Sequence, residues 1–365
     1  MPKKTRVLHI LSSLRSGGVA VLLYNYFMNM DKSKITFDFI VHVPDKGFIE
    51  QKLDSYDVRV FHLPRFNHLW STFWKTRKII KEGNYKIVHV HHTSKSFIQL
   101  FAAWSCGVPV RIAHSHEQIN WGIPLSLLYR FYGFLTTFFA TNYFACSKIA
   151  AEYVFGKKRK YQMVYNAINA DQYSFDEKKR NSCRDELGLS NQFVLIHVGR
   201  FTEPKNHSRL IQIFKEFLNK HKNAILLLVG IGELFDPIKK YVAQEGLSAN
   251  VRFLGERSDI GNLLNAADYF VFPSKHEGLG IVLIEAQASG LRCVASKDVI
   301  PSEVDLFGNV SFVSLNESNK QWCEIVFETS NYVRRNYSLE LQKYGYDLKY
   351  ESIKLQDWYL SRVDY

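Results

Sequence analysis

The stretch 269-YFVFPSKHEGLGIVLIEAQASG-290 decides how the rest of the chain is organised. Tyr269–Phe272 is a short aromatic and β-branched run, the signature of a buried strand. Pro273 and Ser274 end it, and Gly278 and Gly280 make the following turn permissive. The mixed apolar run Leu279–Ala288 then predicts a helix stopped by Gly290. Two carboxylates, Glu277 and Glu285, sit inside this unit. On a single helix they would lie about 80° apart, at ~100° per residue. The glycine turn instead divides them between loop and helix, both near the carboxyl end of a strand. Ligands of open α/β sheets bind there.

The same strand-then-helix alternation runs outward in both directions. Downstream of residue 190, strands are expected at Val194–Val198, Ala224–Val229, Val251–Leu254, Arg292–Ala295 and Val310–Val313. Helices are expected at Ser208–Lys220, Leu234–Glu245 and Ile260–Ala267. The first half repeats the pattern, with strands Val7–Ser12, Ile35–Val43, Val58–Leu63, Ile87–His91, Val110–Ser115, Tyr143–Ser147 and Met163–Ile168. Alternation of this kind implies parallel βαβ units with right-handed crossovers. The fold class is therefore α/β, as two doubly wound Rossmann-like domains at 1–170 and 190–335. The charged segment Asn169–Ser190 reads as a linker carrying a short helix, Asp176–Leu187. The tail 336–365 is expected to end in a helix.

Composition narrows the function. The 365 residues are 46% hydrophobic and 22% charged, which is globular. A net charge of +12 calls for an anionic partner. The five cysteines are scattered without a CxxC pair, as in a cytoplasmic protein with reduced thiols. Nothing approaches the ~20 apolar residues of a membrane span. A soluble protein, or one attached at a membrane surface, is expected. No nucleic-acid-binding signature appears, so nucleic acid is not the expected partner.

Several residues could carry chemistry. The strand ending at Val198 runs into Gly199-Arg200-Phe201-Thr202-Glu203-Pro204-Lys205-Asn206, just before a predicted helix. Gly199 lets backbone approach a ligand, and Arg200 and Lys205 add two cations near a helix N-terminus, a phosphate cradle. Carboxylates repel phosphate, so Glu277 and Glu285 should meet hydroxyls, as a carboxylate reads a ribose diol. Together these loops describe a diphosphate flanked by hydroxylated rings: a nucleotide sugar. In the first half, Gly17 and Gly18 follow the first strand and offer backbone N–H groups to an anion. Gly230-Ile231-Gly232 lacks the third glycine of a dinucleotide fingerprint. His89, His91, His92, His114 and His116 gather near two strand ends. With no cysteine or acidic ligand at a zinc spacing, a hydrogen-bonding role is preferred to a metal site. The aromatic stretch Trp121–Phe144 and the basic helix Trp70–Lys81 read as core and solvated face, and both would also suit an anionic lipid surface.

With these residues in hand, the chain resembles the retaining glycosyltransferases of family GT4, which have the GT-B fold, and among them the bacterial enzymes of capsular, exopolysaccharide and O-antigen assembly. The resemblance spans nearly the whole chain. It rests on an E-x7-E motif, Glu277 to Glu285, and on GRFTEPKNH with its Arg200 and Lys205. Gly17-Gly18 and VYNAIN (Val164–Asn169) add to it; the latter has Ala167 where the family's hinge usually has glycine. The resemblance implies two domains facing across a cleft, with the C-terminal helix packed back on the first. It implies Arg200 and Lys205 on the donor diphosphate, Glu285 on the ribose and Glu277 on the transferred sugar. His116, with His114 as the alternative, would stand near that sugar's reacting end. Asn166, Gly199, Gly278, Leu279 and Gly280 count with the substrate-binding residues. No metal cofactor is expected. The implied partners are a UDP-type sugar donor and a polyprenyl-linked saccharide acceptor, at the inner face of the plasma membrane. The rival readings are a GT-B-type epimerase or phosphorylase, and a basic protein binding nucleic acid or a membrane surface.

Overall fold

The computed structural model describes residues 4–15, 17–64, 69–116, 123–277, 279–297 and 299–363. Ser16, Trp121 and Gly278 lie outside them. The chain divides into two compact units, Met1–Ala167 with Gly345–Tyr365, and Ile168–Tyr344.

The first unit contains β1 (Thr5–Leu11), β2 (Ile35–Val41), β3 (Val60–His62), β4 (Ile87–Val90), β5 (Val110–Ser115), β6 (Asn142–Ala145) and β7 (Gln162–Met163). They form one parallel sheet in the order β3-β2-β1-β4-β5-β6-β7. Every residue of β2 is buried, as in a parallel strand covered on both faces, and its one charge, Asp38, is paired with Arg6 and Arg59. The second unit contains β8 (Phe193–Val198), β9 (Ala224–Val229), β10 (Val251–Gly255), β11 (Tyr269–Phe272), β12 (Arg292–Ser296) and β13 (Val310–Val313). Its parallel order is β10-β9-β8-β11-β12-β13. In each sheet the first strand sits where the order reverses, the switch point at which doubly wound folds hold ligands.

The C-terminal helix Leu348–Leu360 packs on the first unit, burying Leu348, Leu355 and Tyr359 in the core formed by Val7, Phe37, Phe39 and Ile87. Asp347 caps it by accepting from the Tyr350 N–H at 2.9 Å.

The linker reading of 169–190 needs correction. Helix Glu177–Glu186 forms where expected, but it belongs to the second unit. Arg180 donates to the carbonyls of Asn265, Ala266 and Ala267 at 3.0, 3.1 and 2.7 Å, and Arg184 to that of Ala266 at 2.8 Å. Arg334 adds bonds to the Leu264, Asn265 and Ala267 carbonyls at 2.7, 2.9 and 2.9 Å. These arginines satisfy the carbonyls left open at the end of helix Ile260–Ala266, so the charges are structural and not solvated. The tail boundary moves too, since Ser338–Tyr344 lies in the second unit with Leu341 fully buried. The last expected strand of the first half shrinks to β7, and Val164–Ala167 continues as irregular chain.

Candidate active site

In the second unit, β8 and β11 are neighbours, so the loops that follow them emerge side by side. Asn206 takes a left-handed conformation (φ 56°) and its amide donates to the Pro273 carbonyl at 2.9 Å. The Lys275 N–H donates to the Pro204 carbonyl at 2.7 Å, and Lys275 pairs with Glu203. The two loops are thereby tied into one surface. On it, Lys205 Nζ lies 2.5 Å from Glu277 Oε1 and 4.8 Å from the centre of the Phe272 ring. Arg200 is exposed on the same loop as Lys205. Lys205 and Glu277, the residues expected on phosphate and on sugar, thus form an ion pair with each other.

Glycine explains the local backbone. Gly280 has φ 72° and ψ 49° and caps helix Ile281–Ala288, which delays the helix from the expected Leu279 to Ile281. Leu279 is partly buried in the turn. Gly199 uses its N–H on the Val229 carbonyl at 3.0 Å, so that group serves the loop crossing. A Cβ on Gly230 would meet the Gly199 oxygen at 2.2 Å, and one on Gly232 the Phe201 oxygen at 2.3 Å. The Gly230-Ile231-Gly232 pair therefore supports the Arg200 loop from below, a role its sequence did not disclose.

Glu285 sits in the second turn of its helix, as the spacing argument required. Burial pushes its carboxyl up to about 7, and a hydrogen bond from Tyr173 partly opposes that rise. Tyr173 comes from helix Ala170–Tyr173, inside the segment read as linker, so its partnership was invisible in the sequence.

In the first unit, Gly17 caps helix Gly18–Met28 with extended backbone, and a Cβ on Gly17 or Gly18 would meet nothing within 4 Å. The fold itself does not require glycine at either position. Asn166 is partly buried in the irregular segment after β7.

The histidines form a ladder on one face of the sheet. His9 on β1 pairs in register with His89 on β4. His9 Nδ1 lies 3.0 Å from His91 Nε2, and His91 Nδ1 lies 2.8 Å from His116 Nε2. His89 Nε2 lies 3.1 Å from His114 Nδ1, and His89 Nδ1 lies 2.6 Å from the Tyr359 hydroxyl. Burial holds all five imidazoles far below their ordinary range, His9 and His116 at about 3. They are neutral at pH 7. His114 is 1% exposed, whereas His116 at the strand end is only partly buried, so His116 is the one a ligand can reach. His92 leaves the group for the opposite face, where its ring meets that of His42, and His9 takes its place. Strand pairing, not sequence proximity, brings His9 in.

Residues 16–172 match the description Glycosyltransferase Family 4, and residues 179–309 match Glycosyl transferases group 1. EpsF of Bacillus subtilis, which carries a glycosyltransferase name, is 34% identical over 337 residues, covering 88% of this chain and 86% of its own. The Escherichia coli UDP-Gal:alpha-D-GlcNAc-diphosphoundecaprenol alpha-1,3-galactosyltransferase is 27% identical, covering 80% of this chain and 79% of its own. The structure of Anabaena Alr3699/HepE in complex with UDP and glucose superposes with a TM-score of 0.71 at 20% identity, covering 99% and 97% of the two chains. With two parallel α/β units in sequence and these matches across nearly its whole length, the chain belongs to glycosyltransferase family 4 and is a glycosyltransferase of GT-B fold.

Proposed function

We propose that this enzyme moves a hexosyl residue from a UDP-sugar to a hydroxyl of a lipid-linked saccharide, with retention, in surface-polysaccharide synthesis. The observation that carries the reading is the fused loop pair of the second unit. It sets Lys205 beside Glu277, with Arg200 exposed on the Lys205 loop and the Tyr173–Glu285 pair in the same unit. Two cations suit a diphosphate, and two carboxylates suit the hydroxyls on either side of it. The relative whose name carries a UDP-galactose donor and a diphosphoundecaprenol acceptor supports both partners, and the UDP complex of a structure of this fold supports the first.

In this account no enzyme carboxylate attacks the sugar. The leaving diphosphate takes the proton of the incoming hydroxyl on the same face, while Arg200 and Lys205 stabilise its charge. Glu277 holds Lys205 in place until the diphosphate attracts it, and is then released to the sugar hydroxyls. Glu285 accepts from the ribose. His116 is assigned to the sugar's reacting end by the family resemblance, and Gly17, Gly18 and Asn166 to the substrates likewise. Arg200 and Lys205 do the neutralising that a divalent cation does elsewhere, so transfer should survive EDTA.

A membrane surface is the expected second partner. Among the described residues no helix is long and apolar enough to cross a bilayer. Three packed helices of the first unit, Leu69–Gly83, Phe97–Ser105 and Ile123–Phe139, leave Trp70, Trp74, Trp104, Phe131, Phe134 and Phe138 exposed. Lys75, Lys78, Lys81 and Arg130 are exposed on the same helices. The aromatic stretch is therefore core on one side only, with Phe139 packed on Phe101 at 4.9 Å. Exposed aromatics among basic residues suit the headgroup region of an anionic bilayer, where a polyprenyl-linked acceptor lies.

A thermal-shift panel of UDP-, GDP- and ADP-hexoses tests the donor. The expected outcome is stabilisation by a UDP-hexose that Lys205→Ala largely abolishes. Equal response to every nucleotide, or to none, would contradict it.

A further inference from the structure

The ladder in the first unit holds more imidazoles than one sugar-contacting histidine needs. His114 engages only Nδ1, and its Nε2 is buried without a hydrogen-bond partner among the described residues, as is His9 Nε2. One ring nitrogen from each of His91, His114 and His116 lies within 4.8 Å of the others. We propose that His91, His114 and His116 form a binding site for a divalent ion of borderline softness, of which zinc is the type, and that its occupancy inhibits the enzyme.

The donor set fits such an ion. Three imidazoles suit zinc, nickel or copper and repel magnesium and calcium, which want oxygen. Three protein ligands leave a fourth position open at the partly exposed end, beside His116. Zinc–nitrogen bonds of about 2.0–2.1 Å place tetrahedral ligands ~3.4 Å apart. The 2.8 Å contact between His91 and His116 must therefore open slightly, and the third nitrogen must close in.

Two of the three ligands already have the outer hydrogen bond that metal sites use. A ligating imidazole is oriented by a partner on its other nitrogen. His9 Nδ1 faces His91 Nε2, and His89, itself fixed at Nδ1 through the Tyr359 hydroxyl, turns Nε2 towards His114 Nδ1. The protons balance without loss from the protein. The hydrogen shared by His91 Nδ1 and His116 Nε2 leaves that axis. If His91 carries it, His91 shifts to the Nε2–H form and donates to His9 Nδ1, and His9 moves its own proton to the unpartnered Nε2. If His116 carries it, that ring shifts to Nδ1–H. His114 ligates through Nε2 in its Nδ1–H form, donating to His89 Nε2, while His89 keeps its own proton on Nδ1 and donates to the Tyr359 hydroxyl oxygen.

Inhibition follows because a coordinated His116 cannot meet the donor sugar, and that clause rests on the role given to His116 above. The test is a titration of the EDTA-stripped full chain with Co²⁺. One ion per chain should bind with the strong visible absorption of four-coordinate cobalt and be displaced by Zn²⁺. His114→Asn should abolish that spectrum. So should His116→Asn, at a partly exposed position where the core is spared. His9→Asn should weaken binding about 10–100-fold, as loss of an orienting partner does. A pale six-coordinate spectrum, or a strong one unchanged in both ligand variants, would overturn the site. Zinc should also stop transfer reversibly with EDTA. If cobalt binds as described while turnover is untouched, the metal site stands and the donor role of His116 is what fails.

Discussion

The two units are built on the same parallel plan, yet one has a stack of neutral imidazoles on its sheet and the other a cluster of opposite charges between two loops. In the first unit, five histidines lie on β1, β4 and β5 or at their ends, joined by hydrogen bonds and ring contacts, with no carboxylate in the ladder among the described residues. In the second, Lys205 and Glu277 meet on loops, with Glu203 and Lys275 paired nearby. Buried neutral groups fix geometry and resist salt, but protons disrupt them. Loop charges can exchange a protein partner for a ligand.

The largest expected effect is an acid lability greater in the first unit than in the second. His9, His89, His91, His114 and His116 all have folded values lowered by burial, so below about pH 6.5 the unfolded chain takes up protons that the folded chain refuses. Stability is present above that value and is lost as pH falls towards 3. Five such groups give a limiting slope of about 7 kcal/mol per pH unit, enough to exhaust an ordinary domain's stability. In the second unit only His197 and His207 are so lowered among the described residues. Hydrogen exchange between pH 7 and 5 should show the first unit opening before the second. Simultaneous loss would remove the contrast.

Next in size is the loop charge. Lys205→Ala should lower turnover about 10²–10³-fold, the cost of losing one transition-state charge partner. Wild-type turnover by this variant would end the diphosphate assignment. A smaller effect belongs to Glu285. Its raised value means its contribution to folding is present at low pH and lost as pH rises through 7, whereas a ribose diol requires the ionised form. Donor affinity measured by calorimetry should fall by up to about tenfold per pH unit below 7, and Glu285→Gln should flatten that profile at a lower affinity. The smallest expected effect is on the membrane: Trp74→Ala with Phe134→Ser should reduce cosedimentation with anionic vesicles about tenfold, leaving turnover on a water-soluble acceptor unchanged. Undiminished sedimentation would remove the aromatic face from the account. The lost burial of two aromatic rings, about 1.5–3 kcal/mol each, sets the upper bound.

Much of the second unit was legible from its sequence because its signals are local. Tyr269–Phe272 is the strand its composition announced, and Glu277 and Glu285 are split between loop and helix. The segment with Arg180 and Arg184 was read as a linker because a charged run does not show which helix end its arginines will cap. Tyr173 and His9 were missed for a related reason. Each acts through a partner 80 or more positions away, Glu285 and His91 respectively, and only sheet order and packing bring them together. Local pattern reveals strands, turns and loop motifs; it does not reveal which buried polar groups will face each other.

The central claim is transfer to an acceptor hydroxyl with retention. Its most direct test is NMR of the enzyme with a UDP-α-hexose and a short polyprenyl diphosphate saccharide. The account predicts one UDP released per new glycosidic bond, an α configuration at that bond, and no change of the donor when the acceptor is left out. A β-linked product, or a donor epimerised or cleaved by phosphate without acceptor, would contradict it.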